Sequence, residues 1–350
     1  MTNKMSIAGR KIGPGFPPYV IAEMSANHNG NLDVALRIID EAKKAGADAV
    51  KIQTYRPDTI TLQCDRADFQ IKDGLWAGRN LYELYEWAHT PWEWHFTLFE
   101  HARKLDITIF SSPFDSTAVD LLEDLGAPAY KIASFEAIDL PLIRYVAKTG
   151  KPMIISTGMA DADEIQEAID AARSGGCDHL AILRCVSGYP APASDYNLLT
   201  IPDMQQRFGL ITGLSDHTLD NTTAVASVAL GASIIEKHFT LDRKGGGPDD
   251  SFSLEPQELH DLCKSARTAW EAIGSVNYSR KSSELGNLKF RRSLYFVMPL
   301  KAGDRVPADA VRSVRPGFGL APKYLDSVVG AVLKVDVDFG TAVSWDLLER

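Results

Sequence analysis

The sequence predicts an α/β chain: a (β/α)8 TIM barrel followed by a small β-rich C-terminal domain. Short apolar runs recur along the first three quarters of the chain, at residues 19–23, 49–53, 107–111, 129–133, 152–157, 180–184, 210–214 and 233–237. Most are rich in Ile, Val and Ala and do not alternate with polar residues, which is how strands buried on both faces read. Between them lie stretches with helical spacing, at 32–44, 92–104, 116–124, 140–149, 162–173 and 222–230. Several close on a basic residue or glycine, as at Lys43-Lys44-Ala45-Gly46 and Lys148-Thr149-Gly150, the usual end of a helix. Eight such units in about 270 residues match a closed barrel in size. A doubly wound open sheet is the competing architecture, and the count of eight favours closure.

Composition narrows the function. The 350 residues carry 37 Lys+Arg against 46 Asp+Glu, a formal net charge of −9, with 45% apolar and 24% charged residues. That is a folded globular composition, not a disordered one. No window approaches the roughly 18 uninterrupted apolar residues of a membrane span. The acidic balance without a basic block argues against nucleic acid as the partner. Residues 1–13 are partly basic but hold no apolar stretch of signal-peptide type, so secretion is not expected. Cys64, Cys177, Cys185 and Cys263 form no close pair. This suits neither a disulfide framework nor a zinc knuckle and fits a reducing cytoplasm. Cys185, within an apolar run, reads as a small buried hydrophobe.

In a (β/α)8 barrel, chemistry sits at the carboxyl ends of the strands. Those ends carry Glu23 on the first strand, Lys51-Ile52-Gln53-Thr54-Tyr55 on the second and Ser111-Ser112 on the third. Lys131-Ile132-Ala133-Ser134 and Ser156-Thr157-Gly158-Met159 come next, then Ser187-Gly188-Tyr189, Ser215-Asp216-His217 and Glu236-Lys237-His238. Lysines within apolar strands are costly unless paired. One reading of Lys51 and Lys131 is a buried ion pair, with Glu23 as a candidate partner. Another is an anion site completed by the hydroxyls of Ser134, Ser156 and Ser215, and a Schiff-base lysine is a third. Two lysines and three serines on neighbouring strand ends favour a phosphate or carboxylate cradle. His217 and His238 end adjacent strands, with Glu23 beside them across the barrel closure. That pair suits an open divalent metal site, with the remaining positions left to water and substrate.

Two segments are less specific. The run Lys244-Gly245-Gly246-Gly247-Pro248-Asp249-Asp250 is either a flexible turn or a substrate loop, whose aspartates could bind sugar hydroxyls. The aromatics Trp76, Tyr82, Tyr85, Trp87, Trp92 and Trp94 between the second and third strands are read as packing.

Taken together, Ile21-Ala22-Glu23, Lys51-Ile52-Gln53-Thr54, Lys131-Ile132-Ala133-Ser134, Ser156-Thr157-Gly158-Met159, Gly213-Leu214-Ser215-Asp216-His217-Thr218 and Glu236-Lys237-His238-Phe239-Thr240 resemble, in order, the phosphoenolpyruvate-dependent sialic acid synthases. The resemblance runs from about Pro18 to the C-terminus. Tyr55, Ser134-Phe135-Glu136 and Thr90-Pro91-Trp92-Glu93-Trp94 bring it nearest the pseudaminic acid branch of that family. It implies condensation of phosphoenolpyruvate with an open-chain amino-sugar aldehyde, here 2,4-diacetamido-2,4,6-trideoxy-L-altrose, with release of phosphate. It further implies Mn²⁺, Mg²⁺ or Co²⁺ on His217 and His238. Phosphoenolpyruvate would lie on Lys51, Lys131, Ser134, Ser156 and Ser215, with Tyr189 alongside and Gln53 among the substrate contacts. Glu23 would handle a water proton and Asp249 would touch the sugar. Ser187 stands where the family has an asparagine that helps hold phosphoenolpyruvate. Phe135 and Tyr55 are expected to enclose the acceptor's C6 methyl. Rival activities are N-acetylneuraminic or legionaminic acid synthesis by the same chemistry, a metal-dependent aldolase that releases no phosphate, or an inert sugar-binding protein.

Residues 1–274 are assigned to the barrel. Residues 275–290, which include Asn277, Ser279, Lys281, Ser282 and Ser283, read as a linker. Residues 291–350 resemble the family's antifreeze-like (SAF) domain, with β-type runs at 294–297 and 331–335. The resemblance implies a homodimer in which this domain covers the partner's active site and Arg315, in Arg315-Pro316-Gly317, reaches the acceptor. A solvated turn is the other reading of Arg315.

Overall fold

The structure, a computed structural model, describes residues 4–349. It divides into two compact units, Met1–Gly274 and Ser275–Arg350. A short antiparallel hairpin opens the first, β1 (Met5–Ile7) and β2 (Arg10–Ile12). Eight parallel strands come after it: β3 (Tyr19–Glu23), β4 (Ala49–Thr54), β5 (Thr108–Pro113), β6 (Tyr130–Ile132), β7 (Met153–Ser156), β8 (Leu180–Cys185), β9 (Ile211–Asp216) and β10 (Ile234–His238). They form a closed barrel because β10 pairs with β3, Ile234 opposite Tyr19 and His238 opposite Glu23. The open sheet is excluded.

The eight barrel strands are buried on both faces because side chains alternate between two cores. Val20, Ala22, Val50, Ile52, Ile132, Ile155 and Ile235 belong to the large layer between strands and helices. Tyr19, Ile21, Ala49, Phe110, Ala129, Ile154, Ala181, Leu183, Ile211 and Ile234 fill the barrel interior, joined by Met5, Ile7 and Ile12 of the hairpin. One step further along the interior-facing positions come Glu23, Lys51, Ser112, Lys131, Ser156, Cys185, Ser215 and Glu236, all buried. The apolar plug therefore ends where the chemistry begins.

The helices return the chain between strands. Leu32–Ala45 is typical: Asn31 caps its first turn by accepting from the Asp33 and Val34 amides, and Gly46, with φ 92°, ends it in the left-handed region. Thr200–Phe208 and Pro256–Ile273 complete the ring beyond the helices that spacing indicates. The stretch 92–104 divides into a 3₁₀ turn, Trp92–Trp94, and the helix His95–Lys104. The His95 imidazole bonds the Pro91 carbonyl and the Thr54 hydroxyl at this junction, tying the long β4–β5 connection to the barrel.

The second unit holds the hairpin β11 (Ser293–Phe296) and β12 (Val311–Val314) over its own core, which includes Leu294, Phe296, Val311, Val328, Leu333 and Val343. The run 331–335 forms no strand. Its bridges, Arg305 to Val332 and Leu333 to Leu348, go to different partners, so no ladder develops. Residues 275–290 contain two short helical turns, Ser282–Leu285 and Leu288–Phe290. No helix among the described residues is long and apolar enough to cross a membrane.

Candidate active site

The interior charges converge. Lys51 Nζ lies 2.6 Å from Glu23 Oε2 and 3.8 Å from Glu236 Oε1. Lys131 Nζ lies 3.6 Å from the same Glu236 oxygen and donates to Ser156 Oγ at 2.6 Å. Glu236 thus sits between two ammonium groups and also accepts from Ser215 Oγ at 3.2 Å. Lys51 donates to Ser112 Oγ, and Gln53 Nε2 donates to Glu23 Oε1 at 3.0 Å. Lys51 therefore forms the buried ion pair with Glu23, and Ser156, one of the serines expected at an anion site, accepts from Lys131.

Burial works against every one of these charges, and the neighbours decide which survive. Burial opposes the Glu236 charge, but Lys131 and Lys51 outweigh it and hold the carboxyl below its usual range. Burial, reinforced by the charge on Glu236, pushes Glu23 up despite Lys51. Lys51 is held high against burial by two carboxylates, whereas burial lowers Lys131, which has Lys51 as a like-charged neighbour. Glu23 and Lys51 shift the same way because each answers to Glu236 as well as to the other.

A hydroxyl cradle adjoins the lysines. The Gly158 amide donates to Ser134 Oγ at 3.2 Å. A Cβ at position 158 would collide with the hydroxyls of Ser134 and Ser187, so glycine is required by close approach. Ser187 Oγ is buried without a hydrogen-bond partner. Burial raises the Cys185 thiol, which lies among Ser134, Ser215 and Lys131; it is buried as its apolar run predicts, but its neighbours are polar rather than hydrophobic.

The two imidazoles meet at the rim, ring centroids 5.4 Å apart. His217 Nδ1 is held by the Val186 carbonyl at 2.8 Å, which makes that nitrogen the donor and leaves Nε2 as a lone-pair site. His238 Nδ1 is buried with no hydrogen bond, 3.7 Å from Asp249 Oδ2. Burial lowers His217 to about 4 and His238 well below its ordinary value, so both stay neutral, the form that binds metal. This donor set fits a divalent cation. Among the described residues no group of three or more His, Cys, Asp or Glu side chains is arranged to hold a metal ion.

The glycine-rich loop is ordered by the barrel rather than slack. Asp250 Oδ2 accepts from Asn29 Nδ2 at 3.0 Å and from the Gly247 amide at 2.8 Å, and Oδ1 accepts from Thr240 Oγ1. A Cβ at Gly247 would collide with the Asn29 side chain. Asp250 is therefore a cross-link. Asp249 faces the site, accepting from Ser25 Oγ at 2.5 Å, its carboxyl pushed up to about 6 by burial.

The aromatics between β4 and β5 divide. Tyr55 is buried against Tyr85 and Phe114. Trp76 is not core packing: it lies against Tyr189 at 5.9 Å and donates to the Pro248 carbonyl at 3.0 Å. Tyr189 in turn contacts His217, His238 and Phe252. Phe135 is 57% exposed at the rim. Arg315 belongs to the second unit and is exposed, while the backbone around it is pinned by Ser293 Oγ donating to the Pro316 carbonyl and the Gly317 amide donating to the Lys289 carbonyl.

Sequence reasoning misses two carboxylates. Glu236 has a signal: it lies two residues before His238, on the same strand face. Glu136 has none. It comes just after β6, with one carboxylate oxygen buried and unpartnered, and burial raises it to about 7 despite Lys131 and Lys51. A carboxyl raised above its unfolded value binds an extra proton in the native state, so stability falls as pH climbs from about 4.5 to about 7. Glu136→Gln removes that loss. Thermal melts should match wild type near pH 4 and exceed it at pH 8, by about 3 kcal/mol.

The NeuB family model matches residues 38–278 and the SAF domain model residues 291–349. The pseudaminic acid synthase of Campylobacter jejuni strain 81-176 is 44% identical over 325 residues, 93% of this chain and 95% of that one. The pseudaminic acid synthase of Helicobacter pylori is 41% identical over 335 residues, 95% of this chain and 98% of that one. The solved N-acetylneuraminic acid synthetase of Leptospira borgpetersenii, crystallised with citrate, superposes with a TM-score of 0.73 at 31% identity, covering 82% of this chain and 96% of the other. With this match over barrel and C-terminal domain alike, the chain belongs to the NeuB family of sialic acid synthases.

Proposed function

We propose that the enzyme condenses phosphoenolpyruvate, 2,4-diacetamido-2,4,6-trideoxy-L-altrose in its open aldehyde form, and water into pseudaminic acid and phosphate. The supporting observation is the paired geometry: Lys51 and Lys131 among serine hydroxyls, beside two neutral imidazoles. An anion with two charged ends needs the first, and a carbonyl awaiting attack needs the second.

Lys51, Lys131, Ser134, Ser156, Ser187 and Ser215 hold the phosphate and carboxylate, and the close approach of Gly158 lets its amide join them. A divalent cation (Mn²⁺, Mg²⁺ or Co²⁺) held by His217 and His238 would supply Lewis-acid polarisation of the aldehyde oxygen. Carbon 3 of the enol phosphate forms the new bond to the aldehyde carbon, whose oxygen takes up a proton to become the product hydroxyl, and water captures the cation left at carbon 2. Glu23, raised by burial and oriented by Gln53, takes the proton of that water. Glu136 offers a second proton-carrying carboxyl on the phosphate side. The tetrahedral intermediate collapses by C–O cleavage, releasing phosphate. Asp249 orients the sugar, and Tyr189 shapes the wall between the substrates.

Phosphate release from phosphoenolpyruvate should require both sugar and metal and should stop on adding a chelator. Product mass spectrometry with a panel of amino-sugar aldehydes fixes the acceptor. Phosphate release without sugar, or a preference for a 6-hydroxylated acceptor, overturns this reading. The names of the two relatives at 41–44% identity support the 6-deoxy acceptor. With Phe135 and Tyr55 enclosing the C6 methyl, Phe135→Gly should erode discrimination against 6-hydroxylated sugars about tenfold.

The C-terminal domain is proposed to cover the active site of the partner in a homodimer, presenting Arg315 to the acceptor. Truncation after Ile273 should abolish turnover while far-UV circular dichroism of the barrel persists. Full activity in the truncated chain removes the cross-subunit role.

A further inference from the structure

Residues 57–90, between β4 and β5, form a long strap with little apolar burial of its own. Leu62 and Leu75 are exposed, and Leu84 is its only buried apolar side chain. At Trp76 this strap touches the catalytic rim. The indole N–H donates to the Pro248 carbonyl at 3.0 Å, and the ring lies 5.9 Å from Tyr189. Both partners lead to the reacting end of the acceptor. Pro248 directly precedes Asp249, whose carboxylate oxygen is 3.7 Å from His238. Tyr189 stacks on His217 at 4.3 Å and packs against Phe252, which in turn lies 5.0 Å from His238.

We infer that Trp76 is a positioning residue for the sugar acceptor, latching the strap to the glycine-rich loop so that Asp249 and Tyr189 are held where the aldehyde end must lie. This rests on the assignment of an amino-sugar aldehyde as the second substrate. Asn29 and Asp250 anchor the loop from the barrel side. On the solvent side, the Trp76 hydrogen bond ties the Pro248 carbonyl, on the peptide leading into Asp249, to the strap. A loop held from two sides keeps a carboxylate in one place, and small displacements of a positioning group cost rate steeply. The half-exposed indole also offers an apolar face to the C–H groups of an extended sugar. Trp76 itself bonds or packs on Pro248 and Tyr189, not on Lys51, Lys131 or the serines assigned to phosphoenolpyruvate.

The test is the kinetics of the full-length, metal-loaded enzyme with Trp76→Phe and Trp76→Ala. Trp76→Ala should raise the acceptor KM about tenfold or more, with the phosphoenolpyruvate KM within about twofold of wild type. Trp76→Phe keeps a ring but loses the hydrogen bond, and should fall between. A uniform fall in kcat with both KM values unchanged, or equal rises in both, reduces Trp76 to a structural role and overturns the inference. If Trp76→Ala does not fold, enzyme carrying 5-fluorotryptophan decides: the ¹⁹F resonance missing from Trp76→Phe should shift on adding acceptor and not on adding phosphoenolpyruvate. A resonance that ignores the acceptor overturns the inference. Absence of sugar-dependent phosphate release in the wild type would instead overturn the substrate assignment, so the two failures are separable.

Discussion

Replacing Lys131 by methionine should lower kcat/KM for phosphoenolpyruvate by about 10³-fold or more, because one of two buried ammonium groups facing the anion is gone. The same change should destabilise the fold. Glu236 keeps Lys51 at 3.8 Å but loses Lys131 at 3.6 Å, leaving a fully buried carboxylate half compensated. Breaking a buried pair outright costs about 3–5 kcal/mol; with one lysine remaining, about 2–3 kcal/mol is expected. Lys131→Met combined with Glu236→Gln separates the two effects. Denaturant melts should show most of the stability restored, since the uncompensated charge is removed, while activity stays lost. A single variant with kcat/KM within about tenfold of wild type would show that the lysine serves packing, not the anion.

The second large effect concerns the imidazoles. His217→Ala and His238→Ala should each weaken divalent-cation binding by about 100-fold or more, measured by calorimetry on the full chain. Turnover should fall at least as far, while phosphoenolpyruvate binding, measured separately, should change only a few-fold. Disrupting the Val186 carbonyl contact should act in the same direction more mildly, because it fixes which nitrogen of His217 carries the proton. Unchanged metal affinity in both variants would place the cation elsewhere.

Much of the site is legible in the sequence because barrel strands announce themselves. Runs such as 180–184 and 210–214 lack alternation, and the residues just beyond each run lie, by topology, at the catalytic rim. Lys51, Lys131, His217 and His238 are identifiable on that ground alone. Glu236 is legible in principle, through its two-residue spacing from His238, but is hidden beside Lys237. Lys237 lies on the opposite face of the strand, where it binds Asp216 and the carbonyls of Thr218 and Asp220. Glu136 carries no periodic signal: only its burial beside two lysines makes it chemically distinctive. Trp76 reads as packing because aromatics at helical spacing usually are. Its partners, Tyr189 and Pro248, lie more than 100 residues away in the chain.

By itself the sequence determined the barrel, the domain order and the chemical inventory, because hydrophobic periodicity and glycine placement act over a few residues. Which carboxylate answers which lysine was decided only when β10 closed on β3 and the strand stagger brought Glu236 between Lys51 and Lys131. The same closure separated Asp249, facing the site, from Asp250, which fastens the loop. Those pairings depend on distances between strands, and no local pattern along one strand encodes them.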